Sequence, residues 1–279
     1  MQLVVLGPAF GLPSIDAECN ATIKLLEVQG GKVETINASD DREGVPRLLA
    51  TDDRGINGFR SIARSTGVDS SLSPANRADS IAISSFIEAH AQILLDVSLY
   101  VSFDNYSVTR SAFTNILPWY TNFMLPPRRR AAARARTEHL GISSIDVDNV
   151  HDDLSGRPSG MDGVGKEEPA FEVEAQKRAS LLLPRRNTIK SMLQRPEHSA
   201  VFKLHALADK FFGPMTDMLG EKAYLLSDSI SSVDYLAYGY LSLMLYPKFP
   251  QYWLAETMRR KYGTLVEYIE RIHSLDTTS

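Results

Sequence analysis

The opening of the chain constrains its fold most. Leu3 to Leu6 is a short run of β-formers stopped by Gly7-Pro8, which reads as a buried strand. From Ile15 the period changes. Ile15, Cys19, Thr22, Ile23 and Leu26 fall on one helical face, and Asp16, Asn20, Lys24 and Glu27 fall on the other. Ser14 stands where an N-cap hydroxyl belongs, with Asp16 and Glu18 at the positive end of the helix dipole. Gly30-Gly31 ends the helix. Val4 to Leu26 is therefore a strand, a tight loop and a capped helix, the start of an α/β unit.

The following residues complete that unit. Lys32 to Ala38 alternates in the strand manner. Val45 to Ala50 is a third strand, with Pro46 near its start, where proline is tolerated. Asp52-Asp53-Arg54-Gly55 reads as a turn, Ile56 as the start of a very short strand, and Gly58 to Ser65 as a helix. The order is β-α-β-β-β-α.

Everything beyond is helical. Ser73-Pro74 is a cap followed by proline at the first helical position. Ile83, Phe86, Ile87, His90, Leu94, Val97 and Val101 follow at helical spacing, and a second helix covers roughly Val108 to Phe123. Pro126-Pro127 breaks the chain, and a basic helix runs on to about Leu140. Residues 142–172 are rich in glycine and acid and read as a flexible insertion. Helical patterning resumes near Val173 and continues to Met215. Ser231-Ser232-Val233-Asp234 reads as a capping box, with Ser231 and Asp234 as its members. The helix it opens is apolar nearly all round, which places it in the centre of a domain. Ala255 to Ile272 is a final amphipathic helix. The fold class is α/β plus all-α, with an α/β domain at 1–68 and a helical domain at 73–275.

A length of 279 residues suits two domains. The net charge of -4 offers no global basic field, so nucleic acid is not expected as a partner. A single cysteine excludes an internal disulfide and fits a reducing compartment. The N-terminus has neither a secretory h-region nor an Arg-rich presequence. The longest uncharged apolar run, Tyr235 to Pro247, falls short of the roughly 20 residues that span a bilayer.

No catalytic, cofactor or metal constellation stands out. Gly160 to Lys166 nearly spells a phosphate-binding loop, but Glu167 stands where a hydroxyl must reach magnesium. Asp146, Asp148, His151, Asp152 and Asp153 lack the register of an EF-hand and read as a solvated loop. His90, on an apolar face without a partner ligand, reads as a core histidine. Cys19 faces inward and reads as inert. Arg128, Arg129, Arg130, Arg134 and Arg136 form the one dense basic cluster, just after Trp119, Tyr120 and Phe123. The cluster reads as a solvated face or, functionally, as a surface for an anionic membrane or an acidic partner.

A β-α-β-β-β-α unit followed by a helical domain with a Ser-x-x-Asp-capped central helix resembles the glutathione-transferase fold, with a thioredoxin-like N-terminal domain. The resemblance implies a cis bond at Val45-Pro46. It also implies a Glu-Ser pair for the γ-glutamyl group at the start of the last helix of the α/β unit. Gly58 and Phe59 stand there instead. A closer resemblance is carried by Leu-Gly-Pro-Ala-Phe-Gly-Leu-Pro-Ser-Ile-Asp-Ala-Glu-Cys at residues 6–19, with Gly58-Phe59 and Leu117-Pro118-Trp119-Tyr120. These residues are similar to the metaxin family, in particular its fungal member in the mitochondrial sorting and assembly machinery. That resemblance implies a non-enzymatic role at the cytosolic face of the mitochondrial outer membrane, assisting insertion and release of β-barrel proteins. The implied partners are the barrel-forming core subunit, a second glutathione-transferase-like subunit, β-barrel precursors and the outer-membrane translocase. Some members of the family carry a C-terminal membrane anchor; no hydrophobic tail precedes Ser279, so the expectation is either attachment through partners with peripheral membrane contact or a truncated chain. The alternative is a glutathione-dependent transferase or thiol-handling enzyme using Ser14 or Cys19.

Overall fold

A sheet of four short strands and the two helices beside it form the N-terminal unit. The computed structural model describes residues 1–31, 33–39, 44–49, 55–142, 147–148 and 196–275. The elements of this unit are β1 (Gln2–Val5), α1 (Ala17–Val28), β2 (Glu34–Asn37), β3 (Arg47–Leu49), β4 (Ile56–Asn57) and α2 (Phe59–Thr66). The sheet order is β2-β1-β3-β4, with β1 parallel to β2 and antiparallel to β3. Leu3 stands opposite Thr35 on one side and Leu48 on the other. Leu3 and Val5, two residues apart, point to one face. There they pack with Cys19, Ile23 and Leu26 of α1 and Ile62 of α2.

The helical part comprises α3 (Pro74–Asp96), which runs into a π-helical turn at Val97–Val101, then α4 (Phe103–Ile116), α5 (Trp119–Asn122) and α6 (Leu125–Thr137). After the described segment resumes come α7 (Pro196–Leu219), α8 (Ser232–Leu245), α9 (Trp253–Lys261) and α10 (Gly263–His273). Three boundaries differ from the sequence reading. Leu117-Pro118 splits the helix expected from Val108 to Phe123, because the residue before a proline is pushed out of the α region. Pro126-Pro127 does not break the chain but lies in the first turn of α6, where a missing N–H costs nothing. The final helix is two, divided at Tyr262. The turn expected at 52–55, most of the 142–172 insertion, the near-P-loop and the patterning from 173 to 192 lie outside the described residues.

The α3 helix with its π turn is 28 residues long and, by length and composition alone, apolar enough to cross a membrane. Scattered charges hid this from a search for uncharged runs. Its Ile87, Ala91 and Leu94 are fully buried, and it packs on α6 and α8 as a core helix.

Every residue of α8 is buried. Its start is held by Asp234, whose Oδ2 accepts the Ser231 N–H at 2.9 Å and the Ser231 hydroxyl at 2.6 Å. Oδ1 of the same carboxylate accepts the Leu225 N–H at 2.9 Å and the Tyr268 hydroxyl at 2.8 Å. The next donor, Ser232 N–H, goes to Asp69 at 2.9 Å, in the connection leaving α2. A buried carboxylate is tolerable only when its lone pairs are so occupied. Burial nonetheless raises the Asp234 pKa.

α1 and α8 cross in direct contact. A Cβ on Gly239 would lie 2.2 Å from the Ala17 carbonyl oxygen and 2.9 Å from the Ala21 methyl. The α1 face that looked solvent-directed, with Asn20 and Lys24, is in fact buried against the helical part. Lys24 Nζ donates to the His273 carbonyl at 2.8 Å, and Phe10 meets Phe249 edge-on at 4.9 Å. α1 is thus enclosed on both sides.

Gly239→Ala is expected to destabilise the chain by about 2 kcal/mol or more, because the added methyl meets backbone that cannot yield. Gly213→Ala, in α7 with open space around it, is expected to be neutral or stabilising by up to about 1 kcal/mol. Urea unfolding of both variants checks the contrast, and equal effects would refute the close-crossing account.

Candidate functional site

The site to examine is the cleft between the two parts at the start of α1. The loop from Gly7 to Pro13 leads into it. Ala9 and Leu12 exchange backbone hydrogen bonds at 3.0 and 2.9 Å, and Phe10 and Gly11 between them have φ of 60° and 76°. Two positive φ values make this a type I′-like turn. Phenylalanine there costs about 1 kcal/mol, and its packing on Phe249 offsets that cost. Gly7 is required because a Cβ would lie 2.1 Å from the Pro13 carbonyl. The peptide bonds before Pro8 and Pro46 are both cis.

Ser14 is not the cap of α1. Asp16 is, its Oδ1 accepting from Glu18 N–H at 3.1 Å and Cys19 N–H at 3.4 Å. A carboxylate is the stronger acceptor at the positive helix end, and the helix starts two residues later than its apolar period suggested. Ser14 is fully buried. Its hydroxyl donates to the Leu6 carbonyl and accepts the Asp16 N–H at 3.1 Å. Asn20 clamps the Ser14 backbone from both sides, at 2.8 and 3.0 Å. Cys19 is fully buried, and burial pushes its thiol well up. Neither side chain is presented as a nucleophile.

The five arginines separate. Arg129 pairs with Asp16 at 3.4 Å and is hydrogen-bonded to the Tyr100 side chain. Arg130 donates to the Tyr100 carbonyl at 3.0 Å and lies over the Tyr106 ring at 4.1 Å. Arg136 grips the fully buried Asp96 through two bonds of 2.7 and 3.0 Å. Arg128 and Arg134 are exposed. Three members of the expected interaction surface are thus tied to neighbouring elements, Arg129 and Arg130 partly buried and Arg136 still half exposed, because each found an acid or carbonyl there.

His90 is exposed rather than core. It rests on Phe86 at a ring distance of 4.4 Å, with Nδ1 bonded to the Phe86 carbonyl. Of the acidic stretch only Asp148 lies among the described residues. It accepts the Ser102 hydroxyl and the Phe103 N–H at 3.0 Å, at the start of α4. No group of three or more metal-ligating side chains exists among the described residues.

Sequence reasoning missed Glu18. Its Oε2 accepts the Phe59 N–H at 3.2 Å and so sits on the N-terminus of α2. That is the helix start at which the resemblance to glutathione transferases implies the γ-glutamyl-binding pair. The chain's own carboxylate occupies the anion position there. Burial, with help from Asp16, raises its pKa to about 7. The cavity between Glu18, Val45, Gln92, Tyr100, Arg129 and Tyr240 measures about 100 Å³. Small-molecule sites usually run to roughly 300–1,000 Å³. An open hollow of about 450 Å³ adjoins it, walled by Arg128, Arg129 and Arg136.

Residues 208–272 match the family model described as the glutathione S-transferase C-terminal domain. Residues 19–130 match the Tom37 model, described as an outer mitochondrial membrane transport complex protein. The chain is similar to the Tom37 family over those residues alone, and its fold is that of a glutathione transferase. The Tom37 match begins at Cys19. It therefore leaves out most of the 6–19 stretch that carries the family resemblance, and it includes Gly58-Phe59 and Leu117 to Tyr120. A glutathione S-transferase of Ceriporiopsis subvermispora, solved with glutathione, is 16% identical with a TM-score of 0.54, covering 100% of this chain and 98% of that one. A glutathione transferase of Phanerochaete chrysosporium is 10% identical with a TM-score of 0.51, at the same coverage. At such identities the likeness establishes the fold. No curated protein matches the chain.

Glu18→Gln is expected to change the pH dependence of stability. The folded pKa lies above the ordinary value of 4.5, so the native state holds the proton more tightly than the unfolded chain. Stability from this group is full below about pH 4.5 and falls as the pH rises through about 7. The amide removes that fall. The variant should match the wild type near pH 4.5 and exceed it at pH 8 by on the order of 2 kcal/mol. Urea unfolding at both pH values checks this, and parallel curves would show that Glu18 is unstrained.

Proposed function

We propose that the chain is a non-enzymatic subunit of the sorting and assembly machinery of the mitochondrial outer membrane. It acts at the cytosolic face and assists the insertion and release of β-barrel proteins. Its partners on this reading are the barrel-forming core subunit and a second glutathione-transferase-like subunit, with β-barrel precursors as cargo and the outer-membrane translocase as a neighbour. Residues 1–68 and 73–275 are its two domains. No cofactor is assigned.

One observation carries the reading: Glu18 on the Phe59 N–H, at the helix start where a transferase would hold glutathione's carboxylate. A free helix N-terminus binds anions, and one whose Phe59 N–H is already taken by the chain's own carboxyl group has that donor occupied. The buried Ser14 and Cys19 support the same reading, since catalysis needs a group that reaches the substrate. The Tom37 match supplies the membrane and the transport complex.

A tagged chain expressed in mitochondria should recover the barrel-forming subunit by co-purification, and recovery of none overturns the proposal. Calorimetry with millimolar glutathione should give no saturable heat. Saturable binding would restore the transferase reading.

A further inference from the structure

Between Asp104 and Glu138 the chain carries six arginines and no acid. At the centre of that stretch lies α5, a single helical turn. Trp119, Tyr120, Phe123 and Met124 are 77%, 53%, 70% and 62% exposed. Single exposed apolar side chains are ordinary, but four within six residues are not. The backbone stays right-handed helical through Phe123 and Met124. The spacing i, i+1, i+4, i+5 therefore gathers all four on one side of the turn.

The turn has a firm base. Leu117 and Leu125 are buried on either side of it. Asn122, on the inner side, is buried; it accepts a bond from Arg110 and donates to Thr114 Oγ1 at 3.1 Å. The exposed side chains are thus held outward by a base that faces inward. Arg128 follows Met124 by one turn, and Arg134 lies further along α6; both are exposed.

We propose that this aromatic turn is a membrane-surface anchor: Trp119, Tyr120, Phe123 and Met124 enter the interface of a bilayer, and Arg134 faces its anionic headgroups. Tryptophan and tyrosine favour the headgroup level because each has an apolar body and a polar edge. Asp16 and Asp96 answer Arg129 and Arg136 from other elements, and the exposed Arg134 adds positive charge beside the turn, whose complement is an anionic surface. Four side chains offer less than the roughly 800 Å² per partner of a standard protein interface, whereas a bilayer needs only the inserted tip. The inference rests on the proposed function only for which membrane is met.

The test is sedimentation of the full chain with vesicles of phosphatidylcholine alone and of phosphatidylcholine with cardiolipin. The wild type should bind the cardiolipin vesicles and leave the neutral ones largely unbound. Trp119→Ser with Phe123→Ser should weaken binding at least tenfold with an unchanged circular dichroism spectrum, since both side chains already face solvent. Arg134→Gln should weaken it about fivefold. Brominated acyl chains should quench tryptophan fluorescence in the wild type but not in Trp119→Phe, which keeps only the buried Trp253. Wild-type binding to neither vesicle overturns the proposal. So does a double variant that binds vesicles normally, and one that also loses outer-membrane proteins on co-purification assigns the turn to a protein partner. Normal vesicle binding without recovery of a barrel subunit overturns the proposed function and leaves this anchor standing.

Discussion

At the crossing of α1 and α8, Gly239 presents bare backbone to Ala17 and Ala21, and the rest of the molecule is arranged around that approach. Two helices can come this close only where neither carries a side chain beyond a methyl. Once they do, α1 belongs to two cores at once. Its Cys19, Ile23 and Leu26 lie on the sheet, while Ala17, Ala21 and Leu25 join the helical core. The polar groups caught in the join must then find partners, because an unpaired buried donor costs on the order of 1–3 kcal/mol. Lys24 reaches the His273 carbonyl, Asn20 clamps Ser14, and Asp69 takes the first donors of α8. These bonds follow from the crossing and fix its register.

The same economy governs the cleft. Asp16 caps α1 with one oxygen and meets Arg129 with the other. Glu18, two residues on, is drawn to the start of α2. In a ligand-binding member of this fold such a helix end would be left for an incoming anion. Here it is satisfied from within, in surroundings that disfavour the ionised form. The arrangement stabilises a closed cleft more than it prepares a binding one.

The parts of the fold that local physics dictates were legible in the sequence. The switch of period near Ile15 announced α1, the order β-α-β-β-β-α was readable, and the apolar-all-round stretch after Asp234 marked the central helix. What was illegible depended on distant partners. Asn20 and Lys24 looked solvent-facing because the pattern of one helix cannot reveal a second burying surface. His90 looked like core because its neighbours are apolar, yet it lies at the rim of its face. The Glu18 bond joins residues 41 apart in sequence, and nothing near Glu18 distinguishes it from any first-turn acid. The preference for Ser14 as cap failed by two residues, which is the usual uncertainty of a helix start.

The arginine cluster shows how the two ends of the argument meet. On the sequence it was one basic patch. In the fold, α6 turns Arg129, Arg130 and Arg136 toward Asp16, Tyr100 and Asp96, where they close the wall of the cleft. Buried Asp96 needs that neutralisation, since an isolated carboxylate in such a place would be costly. With three arginines tied to neighbouring elements, Arg134 is left exposed on the helix that follows the outward-facing aromatic side chains of α5. The helix that shuts the cleft is therefore the one that flanks the exposed knob. With the cleft lined by paired charges, the exposed apolar surface of this part of the chain lies on the outside.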